Sequence, residues 1–377
     1  MAGIYVHIPF CKQACHYCNF HFSTNNSRKK DFVEALLKEI TLRRDYLQNE
    51  EVQTIYFGGG TPSLLRVQEI DKIIKTISGN FRLGGDLEIT LEVNPDDIAS
   101  KDLGFLTDLR STSVNRISIG IQSFDNEDLK FMNRSHCNEQ ALRAIENCLN
   151  SGYHNINADL IYGTPTLTDK NWEQNLYRLI DYGVPHISAY ALTVEKKTAL
   201  HTFIRNGTVK PIDETKVAAH FEMLVESLNN NKFIHYEISN FALKGFISRH
   251  NSNYWKSKNY LGLGPSAHSY NGNTRQWNVA NNHRYIDQIA KNTPDFEIEI
   301  LSLENKYNEY ILTSLRTMWG VDLFYLMENF GKSIEKHFLK QVQKHIDNSI
   351  SITDKNYILT NSGKLFADRI ASDLFLN

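Results

Sequence analysis

Six short runs of β-branched and aromatic residues, each followed by a stretch with helical spacing, occupy the first half of the chain, and nothing else in the sequence restricts the fold as tightly. Strands are expected near Gly3–His7, Val52–Phe57, Leu87–Val93, Arg116–Gly120, His154–Ile161 and His186–Leu192, with helices near Arg28–Leu47, Arg66–Ile77, Lys101–Leu109, Asn138–Asn150 and Lys170–Tyr182. Strands that alternate with helices in this way form one parallel sheet with right-handed crossovers. Six units are two short of a closed eightfold barrel. The expectation is a partial, open βα barrel, with a doubly wound sheet as the alternative. In either architecture ligands collect at the carboxyl ends of the strands. Those positions are polar here: Gly58-Gly59-Gly60-Thr61-Pro62 follows the second strand, Glu92, Asn94 and Pro95 end the third, Gln122 and Ser123 end the fourth, and Asp159 to Pro165 end the fifth.

Beyond Ala199 the βα rhythm weakens. A helix near Glu214–Asn231 precedes a strand-like His235–Ser239, and a loop-rich stretch from Lys244 to Thr293 is crowded with Asn, Tyr, Trp and His. Helical patterns at Tyr307–Met318, Asp322–Asn329 and Ile334–Asn348 then lead to a hairpin-like Ile350–Thr360 and a last helix, an order that resembles a small winged-helix module. Three regions are therefore expected: a barrel over 1–240, a connecting segment over 241–303 and a winged-helix-like domain over 304–377. The module's charge is nearly balanced, and the whole chain carries a formal net charge of −2 with a pI near 6.7. Such a balance lacks the positive field that a nucleic-acid binder uses. A mean hydropathy of −0.41, with no long apolar run, predicts no membrane span. The opening residues show neither a basic n-region nor a cleavage site, so the expected location is the cytoplasm.

The chain has five cysteines, and three of them, Cys11, Cys15 and Cys18, crowd a loop directly after the first strand. A disulfide framework is not built like this. Cys137 and Cys148 stand alone and read as small buried apolar residues. A structural zinc site would need a fourth protein ligand, for which His7, His16 and His21 are at hand. An iron–sulfur cluster normally takes four cysteines, so three would leave one iron open to a chelating small molecule.

The Cys-x3-Cys-x2-Cys spacing, with Tyr17 just before the last cysteine, resembles the radical S-adenosylmethionine (SAM) superfamily. That resemblance implies a [4Fe-4S] cluster on Cys11, Cys15 and Cys18. Its open iron would bind the amino and carboxylate groups of SAM, and one electron would split a carbon–sulfur bond to give a 5′-deoxyadenosyl radical. It also implies that Gly59, Gly60 and Thr61 hold the amino end of SAM, and that Glu92, Gln122, Arg134 and Asp159 surround its carboxylate, ribose and methionyl parts. Tyr5 and Tyr17 are expected near the same cofactor, and His268 beside it.

Five further segments, Tyr5–Cys11, Gly58–Pro62, Gly120–Phe124, Asp159–Gly163 and Gly262–Ala267, are together similar to the oxygen-independent coproporphyrinogen III oxidase family. Two departures point to its heme-chaperone branch. Phe20 stands where the oxidases carry a fourth cysteine, and only four residues precede Tyr5, where they have an extension. The branch is further marked by a His-Asn-x-x-Tyr-Trp element, present as His250 to Trp255. The resemblance implies heme as a third cofactor, with His250 as its axial ligand and Tyr254 and Trp255 as walls, and an acceptor hemoprotein as partner. Two other readings stay open: radical decarboxylation of coproporphyrinogen III, and a redox-responsive iron–sulfur protein that does not turn over SAM. The acceptor and a homodimeric state are left open.

Overall fold

Side chains along the parallel strands alternate between two environments, and this alternation shapes the molecule. A computed structural model describes residues 1–100 and 103–376. Its parallel strands are β1 (Ala2–Ile8), β2 (Val52–Gly59), β3 (Leu83–Val93), β4 (Arg116–Gln122), β5 (Ile156–Tyr162) and β6 (His186–Ala191). One face of each strand is aliphatic: Ile4, Val6, Ile55, Phe57, Ile89, Leu91, Ile117, Ile119 and Leu160 pack with Leu36, Ile73, Ile77 and Leu176 from the surrounding helices into one buried cluster. The opposite face is polar. Register brings Tyr5 beside Tyr56, Tyr56 beside Thr90 and Thr90 beside Arg116, and one layer on it brings Glu92 beside Ser118 and Ser118 beside Asn157. Parallel strands covered on both faces are usually apolar throughout. Here only the outward face is, so the inward face lines a polar interior.

The sheet does not close. The chain continues through β7 (Ile234–Glu237), β8 (Asn240–Ala242), β9 (Tyr260–Leu263), β10 (His268–Tyr270), β11 (Thr274–Asn278) and β12 (Phe296–Ile300), and the strand order is β12-β11-β10-β9-β1-β2-β3-β4-β5-β6-β8-β7. The expected open barrel is present, widened by the parallel strand β9 beside β1 and by antiparallel strands at both margins. Residues 241–303, expected as a loop-rich connector, contribute strands to the sheet, because β9 pairs parallel with β1 and carries β10, β11 and β12 outward. Short strands with Asn-rich turns and polar edges carry too little apolar periodicity to stand out in sequence. The expected helix Lys101–Leu109 begins outside the described residues and is seen as Leu103–Arg110.

A helix over Arg249–Trp255 fills the interior near the starting ends of the strands. Glu88 of β3 accepts hydrogen bonds from the backbone N–H groups of Arg249 (3.0 Å) and His250 (2.9 Å), satisfying two donors that a helix start leaves unpaired. The His250 ring stacks on Tyr56 with centroids 4.9 Å apart.

Residues from Leu303 onward have a core of their own, centred on Tyr307, Ile311, Phe338, Val342 and Tyr357. Helices precede and follow a small antiparallel sheet formed by Val321–Asp322, Ile350–Thr353 and Asn356–Leu359. The two helices expected on either side of residue 330 meet at a kink at Gly331, whose φ of 82° is outside helical space. This C-terminal unit docks through backbone hydrogen bonds from Ile238 N to Arg316 O (3.0 Å) and from Met318 N to Tyr236 O (2.9 Å). Among the described residues no helix is long and apolar enough to cross a membrane.

Replacing Glu88 with alanine strands two N–H donors at the start of the interior helix, that of His250 buried and that of Arg249 partly buried. The expected outcome is a loss of roughly 2 kcal/mol of stability, seen as a lower urea midpoint. An unchanged midpoint would show that the helix is held by other contacts.

Candidate functional site

At the carboxyl ends of the parallel strands lies a cavity of about 590 Å³. Cys11, Cys15 and Cys18 line one side of it, on the loop that leaves β1. Among the described residues no three metal-binding side chains converge on a single point suited to one ion. The three histidines close to the triplet are committed elsewhere: His7 bonds Tyr5 (3.2 Å) and the His21 carbonyl (2.9 Å), His16 bonds the Phe131 carbonyl (2.9 Å), and His21 bonds Asn282 (2.7 Å). Burial pushes the Cys11 thiol up to about 11, and Cys18 in the same direction. Both are opposed by the positive charge of Arg134, whose Nη1 donates to Cys15 Sγ at 3.3 Å. Thr61 Oγ1 donates to Cys11 Sγ at 3.6 Å.

The glycine loop after β2 is placed against this cysteine loop by close backbone contact. A Cβ on Gly60 would lie 2.6 Å from the Phe10 carbonyl oxygen and 2.8 Å from that of Ile8. Gly59 has a φ of 106°, and a Cβ there would meet the His7 ring at 2.5 Å. Only residues without side chains allow the two loops to touch here.

Glu92, Gln122, Arg134 and Asp159 also line the cavity. Arg134 is held by the Asn94 side chain (2.8 Å) and the Gly120 carbonyl (2.8 Å). Gln122 adopts a left-handed backbone (φ 67°) where the β4–β5 register shifts, a strained conformation of the kind that clusters at functional positions. Glu92 accepts from Tyr56 Oη at 2.7 Å, and burial, with Asp159 nearby, raises it to about 7. Asp159 is raised by burial as well, while it accepts from Asn157 Nδ2 at 2.8 Å and Ser118 Oγ at 3.4 Å. Arg116, 1% exposed, lies in the same interior and draws both carboxyls back toward ionisation. Two buried carboxyl groups on one cavity form a site suited to a cation.

The sequence profile of the radical SAM superfamily matches residues 5–179. A protein described as heme chaperone HemW from Lactococcus lactis is 32% identical over 95% of this chain and 93% of its own length. Its namesake from Bacillus subtilis is 31% identical over 98% of both. The chain belongs to the HemW family of radical SAM proteins. Among solved structures, the coproporphyrinogen III oxidase HemN from Escherichia coli superposes with a TM-score of 0.84 at 22% identity, covering 99% of this chain and 90% of its own, a likeness of fold. Membership of the HemW family, within the radical SAM superfamily, implies a [4Fe-4S] cluster and SAM. The residues present fit both: a thiol triplet on one wall, a glycine cradle against it, and buried carboxyls opposite.

Of the residues singled out in sequence, Cys11, Cys15, Cys18, Tyr17, Gly59, Gly60, Thr61, Glu92, Gln122, Arg134 and Asp159 all line this one cavity. Three do not. Tyr5 lies a layer deeper, bonded to His7 and stacked on Tyr56 at 6.2 Å. His268 is exposed on β10 against Trp277 (5.9 Å). His250 is 2% exposed, its Nδ1 hydrogen-bonded to Thr54 Oγ1 (2.8 Å) and its Nε2 to Tyr254 Oη (3.1 Å). Burial lowers its basicity to about 3, which keeps the ring neutral, and both of its nitrogens are hydrogen-bonded in this arrangement. It joins the interior helix to β2. The sequence reading missed Tyr190, Ile238 and Arg316, which also line the cavity, as does the strand-end Asn94. Tyr190 continues the inward-facing alternation His186, Ser188, Tyr190 and was legible on that ground; Arg316 was not.

Two outcomes follow from this geometry in the HemW-type cavity. Gly60→Ala should displace the cysteine loop, so iron content after anaerobic reconstitution falls severalfold while far-ultraviolet circular dichroism is kept; full iron loading would contradict the close-contact argument. SAM carries cationic groups, so its affinity should rise roughly tenfold between about pH 6 and about pH 8 as Glu92 ionises, and Glu92→Gln should flatten that profile. Calorimetric titration checks both the sign and the flattening.

Proposed function

We propose that this chain is a heme chaperone that holds a [4Fe-4S] cluster on Cys11, Cys15 and Cys18, binds SAM in the same cavity, and carries heme for transfer to an acceptor hemoprotein. The observation that carries the reading is likeness along nearly the whole chain to proteins described as heme chaperones, at 31–32% identity. When bound, the cluster and SAM supply one-electron chemistry.

The chain's own residues position and exclude. Gly59 and Gly60 would leave backbone open to the amino end of SAM, and Glu92 and Asp159 would balance its positive charge. Arg134 is fixed between Cys15, Asn94 and Gly120, where it can pair with a carboxylate and at the same time favour the thiolate form of its cysteine neighbours. Phe20, 68% exposed, stands on the cavity wall two residues after Cys18 and presents an apolar ring to an incoming flat ligand. Together with Tyr162, Tyr190 and Ile238 it makes the outer part of the cavity amphipathic, as a heme requires. A cytoplasmic setting goes with this reading, since the thiols must stay reduced to bind a cluster.

The test is one anaerobic preparation of reconstituted protein given hemin in one aliquot, and coproporphyrinogen III with SAM and reductant in another. Near-stoichiometric hemin binding without sustained protoporphyrinogen formation is expected. Sustained porphyrin turnover would make the chain an oxidase. Absence of hemin binding, with SAM leaving the paramagnetic resonance of the reduced cluster unchanged, would favour a redox-responsive iron–sulfur protein.

A further inference from the structure

The cavity wall is not made by the barrel alone. Arg316, at the end of the helix Leu303–Leu315, reaches it from the C-terminal unit. Its backbone is fixed, because the Arg316 carbonyl accepts from Ile238 N at 3.0 Å on the β7–β8 turn and Thr317 bridges Glu237. Its guanidinium pairs with Asp368, which is itself largely exposed, and lies 5.8 Å from the ring centroid of Trp255. Trp255 is the last residue of the His-Asn-x-x-Tyr-Trp element. A second cation–π contact runs the opposite way, with Lys256 Nζ 3.9 Å from the Trp319 ring of the C-terminal unit. The two units therefore exchange cations over aromatic faces at one seam, and the seam ends at the cavity mouth.

Among the described residues two arginines line this cavity, and they differ in their freedom. Arg134 is held deep in the cavity by the cysteine loop, Asn94 and Gly120. Among the described residues the ion-pair partner of Arg316 is the exposed Asp368, which an incoming carboxylate can replace at little cost, since exposed ion pairs contribute little, while the buried Glu237 also feels its charge. The carboxylate on the same wall, Glu195, is exposed and screened by solvent. Around Arg316 the wall is Tyr190, Ile238 and Ser239, an apolar and hydroxyl-bearing surface.

We propose that Arg316 is a carboxylate-recognition residue that binds a propionate of heme at the mouth of the cavity, positioned by Trp255. The proposal rests on the heme-carrier reading above. It gives the signature element a part in ligand binding other than iron ligation: Trp255 steadies the arginine that meets the anionic edge of the macrocycle, while His250 stays in the core. A planar guanidinium suits this task, because its fork matches both oxygens of a carboxylate and stacks on an aromatic face.

The experiment titrates the reconstituted full-length protein and its Arg316→Gln and Arg316→Lys variants with hemin and with hemin dimethyl ester, whose carboxylates are blocked. Cluster absorbance and thermal unfolding confirm that each variant is folded. Wild type is expected to bind hemin about tenfold more tightly than Arg316→Gln, as for loss of one charge-assisted hydrogen bond. Arg316→Lys should fall between them, and the ester should bind all three proteins alike. Equal hemin affinity in wild type and Arg316→Gln would overturn the proposal while leaving the heme reading intact, as would an equal loss for the ester. Failure of wild type to bind either compound would overturn the heme reading and the proposal with it.

Discussion

The structure depends on a strict division of labour along six parallel strands: aliphatic side chains outward, polar ones inward. The outward set, including Ile4, Val6, Ile55, Phe57, Ile117 and Leu160, drives assembly by burying apolar surface against the helices. The inward set would be costly to bury without partners. It is instead cross-linked, with Asn157 joined to Ser118, Asp159, His186 and Ser188, and Tyr56 joined to Glu92. Such an interior can accept charged ligands without first being reorganised.

The site is positioned by contacts that leave little freedom. Backbone of the glycine loop touches the backbone ahead of Cys11, and Arg134 ties the cysteine loop to the end of β4 and to the residue after β3. Three strand ends and two loops are therefore tied together around the cavity. The interior helix serves the same end from below. Glu88 anchors its start, His250 links it to Thr54 and Tyr254, and Trp255 at its far end meets Arg316 of the C-terminal unit.

The alternation of strands and helices was legible because each element carries its own period, and the cysteine triplet because thiols at such short spacing lie within one loop. Strand-end residues such as Glu92, Gln122 and Asp159 were legible for a related reason: in a parallel sheet, position along the strand sets which end of the barrel a residue faces. The fate of His250 was not legible. A histidine beside Tyr and Trp reads equally well as a ligand or as packing. The difference lies in Thr54 and Tyr254 taking both ring nitrogens, and Thr54 is almost two hundred residues away in the chain.

By itself the sequence determined the βα order, the polar strand ends, the three-thiol loop and the glycine cradle, since each rests on local spacing and on residue chemistry. Tertiary structure alone decided that residues 241–303 extend the sheet, that the His-Asn-x-x-Tyr-Trp helix lies within the barrel, and that Arg316 reaches the cavity. Those outcomes depend on pairings between distant segments, such as β9 with β1 and Ile238 with Arg316. No local period encodes such pairings, because the energy that selects them arises only when the whole sheet and both cores are in place.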